Sequence, residues 1–211
     1  MNTGAARTAG ADRTVTEVGT QPERARKPLI VATRELMLAA AVTDMSQADI
    51  ATATESITAV TELLRGRSRE RCVRPQRYPT DVRRPGAEVA LDPYNPAAVP
   101  LRVTFPGDDT ASAELVGDAL LEGPPDSVHG GISAWLMDMM LGTLVQSLGV
   151  RAMTGTLDMR YLRQTPLEQP LQLGSEVLAR EGRKITVRGW IDHQGARCVE
   201  ATGLFIEVAP R

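Results

Sequence analysis

The chain has 211 residues, 42% of them apolar, which suffices for one globular domain with a substantial core plus an extension. The net charge of −2 excludes the strongly basic surface that binds nucleic acid or anionic lipid. The two cysteines and two histidines have no spacing typical of a zinc site, and one possible cysteine pair does not make a disulfide scaffold.

The first thirty residues lack the apolar segment of a signal peptide, and no apolar run reaches the ~20 residues that a membrane span requires. These features predict a soluble, cytoplasmic protein. The chain also lacks a dinucleotide-binding glycine fingerprint and the G-x-S-x-G turn of an α/β-hydrolase. We therefore expect no cofactor, no metal and no nucleic-acid partner.

The N-terminal part divides into three segments. Residues 1–28 are polar and predict a disordered tail. Residues 29–64 predict a helical hairpin, because an Ala-rich segment is followed by Ser46 as an N-cap and by apolar residues at helical spacing. Residues 65–90 are rich in Arg and predict a solvated linker or, alternatively, a lid or clamp for phosphate groups.

Residues 91–211 have the pattern of a compact domain. Short alternating segments near residues 101–105 and 111–115 predict two strands before a central helix, and residues 153–162, 171–180, 184–192 and 197–208 predict four strands after it. His193-Gln194-Gly195 is typical of a hairpin turn. One apolar helix among hairpin strands predicts an α+β fold in which an antiparallel sheet wraps around the helix.

The central helix follows Val128-His129-Gly130-Gly131 and runs toward Gly149. Apolar residues fill all of its faces, so we expect little of it to face water. Gly130 and Gly131 leave backbone N–H groups uncovered at the helix start, where they favour an anion or a polarised carbonyl oxygen. Asp138 is the one ionisable residue of this helix, and a carboxylate among apolar side chains indicates a catalytic role. The alternative is a structural aspartate that reaches solvent at one edge of the helix or pairs with a buried Arg.

The spacing of Gly130 and Asp138 indicates whether the two residues can act on one substrate within a single chain. Eight residues at ~1.5 Å per residue separate them by ~12 Å, too far for one small reacting group to touch both. Two antiparallel helices related by a two-fold axis would bring the glycine end of one beside the aspartate of the other. We therefore expect a homodimer with two shared active sites, and either a dimer or a tetramer as the final assembly.

These residues resemble a known family. His129-Gly130-Gly131 followed by Asp138 is similar to the HGG signature of the hotdog-fold acyl-CoA thioesterases of the PaaI-like (phenylacetate-pathway) type. The resemblance covers roughly residues 90 to 208. Its further pieces are Glu122-Gly123-Pro124-Pro125, Thr156-Leu157-Asp158-Met159-Arg160-Tyr161 with Pro166, and Glu181-Gly182-Arg183-Lys184.

The resemblance implies a hotdog fold and hydrolysis of an acyl-CoA thioester to free acid and CoA. The N–H of Gly130 would polarise the thioester carbonyl, and Asp138 would be the general base or the nucleophile. His129 would place the helix start or the thioester. Thr156 would position water, or it is only a β-branched residue of a strand. Gly131 would bind the substrate at the helix start, or it only eases the turn into the helix.

Coenzyme A carries phosphates, for which Arg183 and Lys184 are the candidate ligands. One position departs from the family pattern, since Gly123 stands where some relatives carry a supporting Asn six residues before the His. The alternative function is a hotdog protein that binds acyl-CoA without hydrolysing it. A hotdog dehydratase is a third hypothesis, although the His and Asp pattern is that of the thioesterases.

Overall fold

The structure is a computed structural model, and it describes residues 21–72 and 88–208. The tail prediction for residues 1–20 and the linker prediction for residues 73–87 lie outside the described residues. The domain begins with three strands: β1 (Glu88–Ala90), β2 (Arg102–Gly107) and β3 (Thr110–Val116). A short 3-10 helix (Ala119–Leu121) precedes the central helix α3 (Gly130–Ser147). Four longer strands follow: β4 (Ala152–Tyr161), β5 (Pro170–Glu181), β6 (Lys184–His193) and β7 (Ala196–Glu207).

The seven strands form one antiparallel sheet in the order β1-β2-β3-β5-β6-β7-β4. Helix α3 packs against strands β3 to β7, and the buried core lies between the helix and the sheet. The predicted α+β hotdog architecture is thus confirmed. The Gln194-Gly195 turn has φ values of 49° and 75°, which suit the tight connection between β6 and β7. No helix within residues 21–72 and 88–208 is long and apolar enough to span a membrane.

The central helix is not buried on all sides, contrary to the prediction. One face is buried against the sheet by residues that include Leu136, Met137, Met140 and Leu144. The opposite face is only half-buried in a single chain, and it carries Ile132, Trp135, Asp138, Met139 and Gly142. Because this face is apolar and contains the aspartate, it is the face from which a second chain or a ligand can reach the carboxylate.

Two helices precede the domain, as predicted, but they differ from the prediction in extent and packing. Helix α1 spans Gln21–Val42 and so begins eight residues earlier than the predicted helix, while α2 spans Gln47–Arg65. Helix α2 buries no residue, so the two helices do not pack together as a hairpin. Ser46 is the N-cap of α2, as predicted, and its hydroxyl accepts the Asp49 N–H. The Asp49 carboxylate accepts the Ser46 hydroxyl, so only half of the capping box is present.

Helix α1 is attached to the domain by Arg34, whose side chain is only 16% exposed. Its guanidinium donates to the carbonyl oxygen of Ala98 at 2.9 Å and lies 3.5 Å from the Asp118 carboxylate. Asp118 in turn caps the 3-10 helix by accepting the Leu120 N–H at 3.0 Å. These bonds hold α1 close to the chain segment that leads into α3.

The two cysteines are predicted to react very differently with a thiol reagent. Cys198 is buried in the core, and burial raises the pKa of its thiol, which lowers the fraction of reactive thiolate at neutral pH. Cys72 is exposed. We expect one thiol per folded chain to react quickly with Ellman's reagent and the second to react only after unfolding in guanidinium chloride. Two fast thiols in the folded chain, or fast labelling of a Cys72→Ser chain, would contradict this assignment.

Candidate active site

The start of α3 forms one half of the candidate site. His129 is the N-cap, and its Nδ1 accepts the N–H of Gly131 at 2.9 Å. The N–H of Gly130 occupies the first helical position, where a helix offers no acceptor, and no other acceptor for it lies in the described part of the chain. It therefore points a free donor out of the positive end of the helix.

Two glycines allow His129 to take this position. A Cβ on Gly123 would lie 2.7 Å from the His129 Cα, and a Cβ on Gly131 would lie 3.1 Å from its Nδ1. Any side chain at position 123 would displace the imidazole from the helix start. In this chain His129 thus occupies the space that a larger residue at position 123 would need.

Tyr161, at the end of β4, closes over the same turn. Its hydroxyl donates to the carbonyl oxygen of Gly130 at 2.9 Å. A Cβ added to Gly130 would be 3.5 Å from Cε1 of the tyrosine ring, which is ordinary van der Waals contact. The ring therefore lies against the glycine that presents the free N–H.

Asp138 forms the second half of the candidate site. Its Oδ1 accepts a hydrogen bond from the Thr154 hydroxyl at 2.9 Å. Its other carboxylate oxygen has no donor within residues 21–72 and 88–208, and the side chain is half-buried. The carboxylate is thus oriented on one side and accessible on the other, which suits a group that accepts a proton or attacks a carbonyl carbon.

The hydroxyl on Asp138 belongs to Thr154, whereas the sequence predicted Thr156 for this part of the site. The pairing of β4 with β7 shifts by one residue between Thr154 and Thr156, with Gly155 as the extra residue. Beyond this bulge, Tyr161 faces α3, so alternation puts Thr156 on the outer face of the sheet, away from the helix. The predicted role of Thr156 stays a prediction, and the structure brings it into no contact with Asp138 within one chain.

Arg183 and Lys184 lie at the β5–β6 turn. Arg183 Nε donates to the carbonyl oxygen of Glu207 at 3.0 Å, and both side chains are exposed. Lys184 pairs with Ile206 of β7, which pairs with Met153 beside Thr154. The two cations therefore lie at the end of the sheet near Asp138, at the opposite end of β4 from Gly130.

Within one chain the two halves of the site are separate. Asp138 contacts the beginning of β4 through Thr154, and Gly130 contacts its end through Tyr161. Strand β4 is the last strand of the sheet, so its outer edge has no partner strand among the described residues. Exposed apolar side chains lie along and just beyond this edge, namely Met153, Tyr161 and Leu162.

Sequence reasoning did not identify Thr154 or Tyr161 as members of the site. Tyr161 was part of the family-like segment, but its contact with Gly130 spans 31 positions and has no local signal. Thr154 lies sixteen positions after Asp138. Its role depends on the bulge, which the glycine that follows it could have suggested. No group of three or more His, Cys, Asp or Glu side chains in the described ranges is arranged to bind a metal ion.

The chain is similar to proteins named thioesterases. No family model matches it. Acyl-coenzyme A thioesterase THEM4 of Mus musculus is 38% identical over 96 residues, 44% of this chain and 41% of that protein, so the chain spans about two-fifths of the curated relatives it matches. The THEM4 protein of Xenopus laevis is 36% identical over 92 residues, 43% of this chain and 41% of that protein.

One solved structure resembles the chain over most of its length. A protein described as a thioesterase superfamily protein is 29% identical, with a TM-score of 0.73, and the match covers 85% of this chain and 94% of that one. Residues 88–208 make up less than 85% of the chain, so the matched region also includes part of the N-terminal helices. The chain thus has a hotdog fold and is similar to proteins described as thioesterases.

Proposed function

We propose that the protein hydrolyses an acyl-CoA thioester to a free acid and CoA, and that it is of the PaaI-like type and cytoplasmic. The observation that carries the proposal is that the same helix presents a free Gly130 N–H at its start and an accessible Asp138 carboxylate on its half-buried face. The curated relatives named acyl-CoA thioesterases support the substrate class.

The chemistry follows from the two groups. The thioester carbonyl oxygen accepts the Gly130 N–H, which stabilises the negative charge that develops as the carbonyl carbon becomes tetrahedral. Asp138 either removes a proton from an attacking water or attacks the carbon itself to form an anhydride that water then cleaves. In both routes the C–S bond breaks, CoA leaves as its thiolate and takes up a proton, and the acid is released.

The site is complete only with a second copy of the chain. If the free edges of two β4 strands pair antiparallel about a two-fold axis near Leu157 and Asp158, the start of one strand lies beside the end of the other. Thr154 and Asp138 of one chain would then lie beside Tyr161 and Gly130 of the second chain. The half-buried apolar face of α3 would be covered by the same pairing.

Arg183 and Lys184 would bind the phosphates of CoA. Both are exposed and lie at the end of the sheet near Asp138, so their charges are available to the phosphates of CoA. The bond from Arg183 Nε to the Glu207 carbonyl orients the guanidinium without neutralising it.

A panel of acyl-CoA thioesters of different chain length and aromatic content tests the proposal. Free CoA is measured by chromatography, or with Ellman's reagent on a Cys72→Ser chain so that the exposed protein thiol adds no signal. We expect turnover of at least one class at micromolar to millimolar KM. Tight binding by calorimetry with no release of CoA would contradict hydrolysis and support the binding-protein alternative.

Replacement of the two β4 threonines tests which hydroxyl serves the site. Thr154→Val keeps the side-chain shape but removes the bond that orients Asp138, and a hydrogen bond to a charged group contributes about 1.5–3 kcal/mol. We expect kcat to fall roughly ten-fold or more, whereas the matched control Thr156→Val should stay within about two-fold. The reverse ranking would restore the sequence-based assignment of Thr156.

A further inference from the structure

We infer that Tyr161 is a positioning residue for the Gly130 N–H, an inference that rests on the function proposed above. Tyr161 makes no contact with Asp138 within the chain, and no step of the reaction uses its hydroxyl. Its side chain is 54% exposed, so burial does not account for its position. What distinguishes it is the bond from its hydroxyl to the Gly130 carbonyl.

The bond acts on a single peptide unit. The carbonyl of Gly130 and the N–H of Gly131 belong to the same planar peptide, so its two ends cannot turn independently. Tyr161 donates to one end at 2.9 Å, and the other end donates to His129 Nδ1 at 2.9 Å. The three residues therefore form a clamp, defined here as Tyr161, His129 and the peptide between Gly130 and Gly131.

The clamp restrains a segment that is otherwise flexible because of its two glycines. Two successive glycines have more backbone freedom than any other pair, and the first turn of a helix has few internal bonds to restrain them. A donor whose direction fluctuates stabilises an oxyanion poorly, because part of the stabilisation is lost in reorganisation. The N–H of Gly130 belongs to the preceding peptide, whose His129 carbonyl accepts the Ser133 N–H at 3.0 Å. The clamp holds the peptide on the other side of Gly130, so the two restraints together limit rotation about the glycine and fix the direction of its N–H.

The clamp also fixes His129. Because its Nδ1 accepts the Gly131 N–H, a neutral imidazole carries its proton on Nε2. Hydrogen bonds that share a peptide polarise one another, so the tyrosine hydroxyl strengthens the bond from Gly131 to the imidazole. Tyr161 therefore influences both the donor of Gly130 and the orientation of the histidine.

Tyr161→Phe tests the clamp, since it keeps the ring against Gly130 and removes only the hydroxyl. One ordinary hydrogen bond corresponds to a kcat about three- to ten-fold lower, with KM and melting temperature close to wild type. Exchange of the Gly131 amide, followed by NMR in the full chain, should accelerate by a similar factor. Tyr94→Phe, which removes a phenol hydroxyl from the loop before β2, is the matched control and should change none of these quantities.

These measurements distinguish the positioning role of Tyr161 from the proposed hydrolysis of acyl-CoA. An active wild type with unchanged kcat in the Tyr161→Phe chain would overturn the positioning role, as would a Gly131 amide that exchanges at the wild-type rate. A rise in KM alone would make Tyr161 a substrate contact and would also overturn it. A wild-type chain that hydrolyses no acyl-CoA would refute the proposed function and the kinetic role together, and the amide exchange would then test the clamp itself.

Discussion

The Asp138→Asn chain is expected to lose at least ~10² in kcat while it keeps its fold, because an amide can neither accept the proton of water nor attack a thioester at neutral pH. The substitution is nearly isosteric, and its carbonyl oxygen still accepts the bond from Thr154 at the position where Oδ1 lies. KM should change little, since substrate binding does not require the charge. Steady-state kinetics on the acyl-CoA that the wild type hydrolyses best measures the effect.

Asp158→Asn is the matched control for that experiment. Asp158 lies four residues after Thr154 on the same strand, but it lines a shallow pocket on the outer face of the sheet together with Arg160. It is exposed on the face away from α3, so the change leaves the main-chain pairing of β4 at the proposed two-fold axis intact, and we expect wild-type turnover from this chain. Near wild-type turnover in a well-folded Asp138→Asn chain would remove Asp138 from the mechanism.

Gly130→Pro is the second substitution with a large expected effect, and it removes the proposed oxyanion donor alone. Proline is tolerated at the first position of a helix, because the missing N–H has no intrahelical acceptor there. His129, with φ −58° and ψ 134°, already has the conformation that a residue before proline prefers, and a Cβ at position 130 meets nothing closer than 3.5 Å. Loss of one oxyanion donor lowers kcat by about 10²–10³.

Gly130→Ala controls for bulk in this experiment. It adds a side chain at the same point but keeps the N–H, so its kcat should exceed that of Gly130→Pro by at least ~10-fold. Equal activity in the two chains would show that the N–H of Gly130 does not stabilise the reaction. Circular dichroism and the melting curve of each chain verify that α3 is intact.

The strands could be predicted from the sequence because their signals are local. Alternation of apolar and polar residues marked β4 to β7 to within a residue or two at most ends, and Gln194-Gly195 marked the last hairpin. The central helix was equally clear. The sequence did not predict which face of this helix is exposed. A helix that is apolar on every side has no periodic signal that distinguishes the face on the sheet from the opposite face.

Members of the candidate site could be predicted only where the residue type itself indicates the chemistry. The sequence indicated Asp138, Gly130 and His129, whose chemistry is evident from their types and from the HGG pattern. It did not indicate Thr154, because one extra residue in β4 reverses which threonine faces the helix. The contact of Tyr161 with Gly130 depends on the packing of α3 against the end of β4, which no local pattern encodes.

For the N-terminal helices, the sequence predicted the elements but not their packing. The sequence predicted that they exist, and both are present. Their apolar residues suggested mutual packing, but Ile50, Ile57, Val60, Leu63 and Leu64 of α2 are all exposed in the chain. Helical spacing of apolar residues predicts that a face will be buried, but it does not identify the surface that buries it.

Mixing two inactive chains tests the central claim, a site shared between subunits, most directly. When Asp138→Asn and Gly130→Pro chains exchange subunits at random, about half of the dimers contain one of each, with both defects in one site and neither in the other. The account predicts recovery of about a quarter of the wild-type activity per site, against almost none for either chain alone. Mass spectrometry of differently tagged chains verifies the exchange. No recovery after verified exchange would place Gly130 and Asp138 of the same chain in one site and contradict the account.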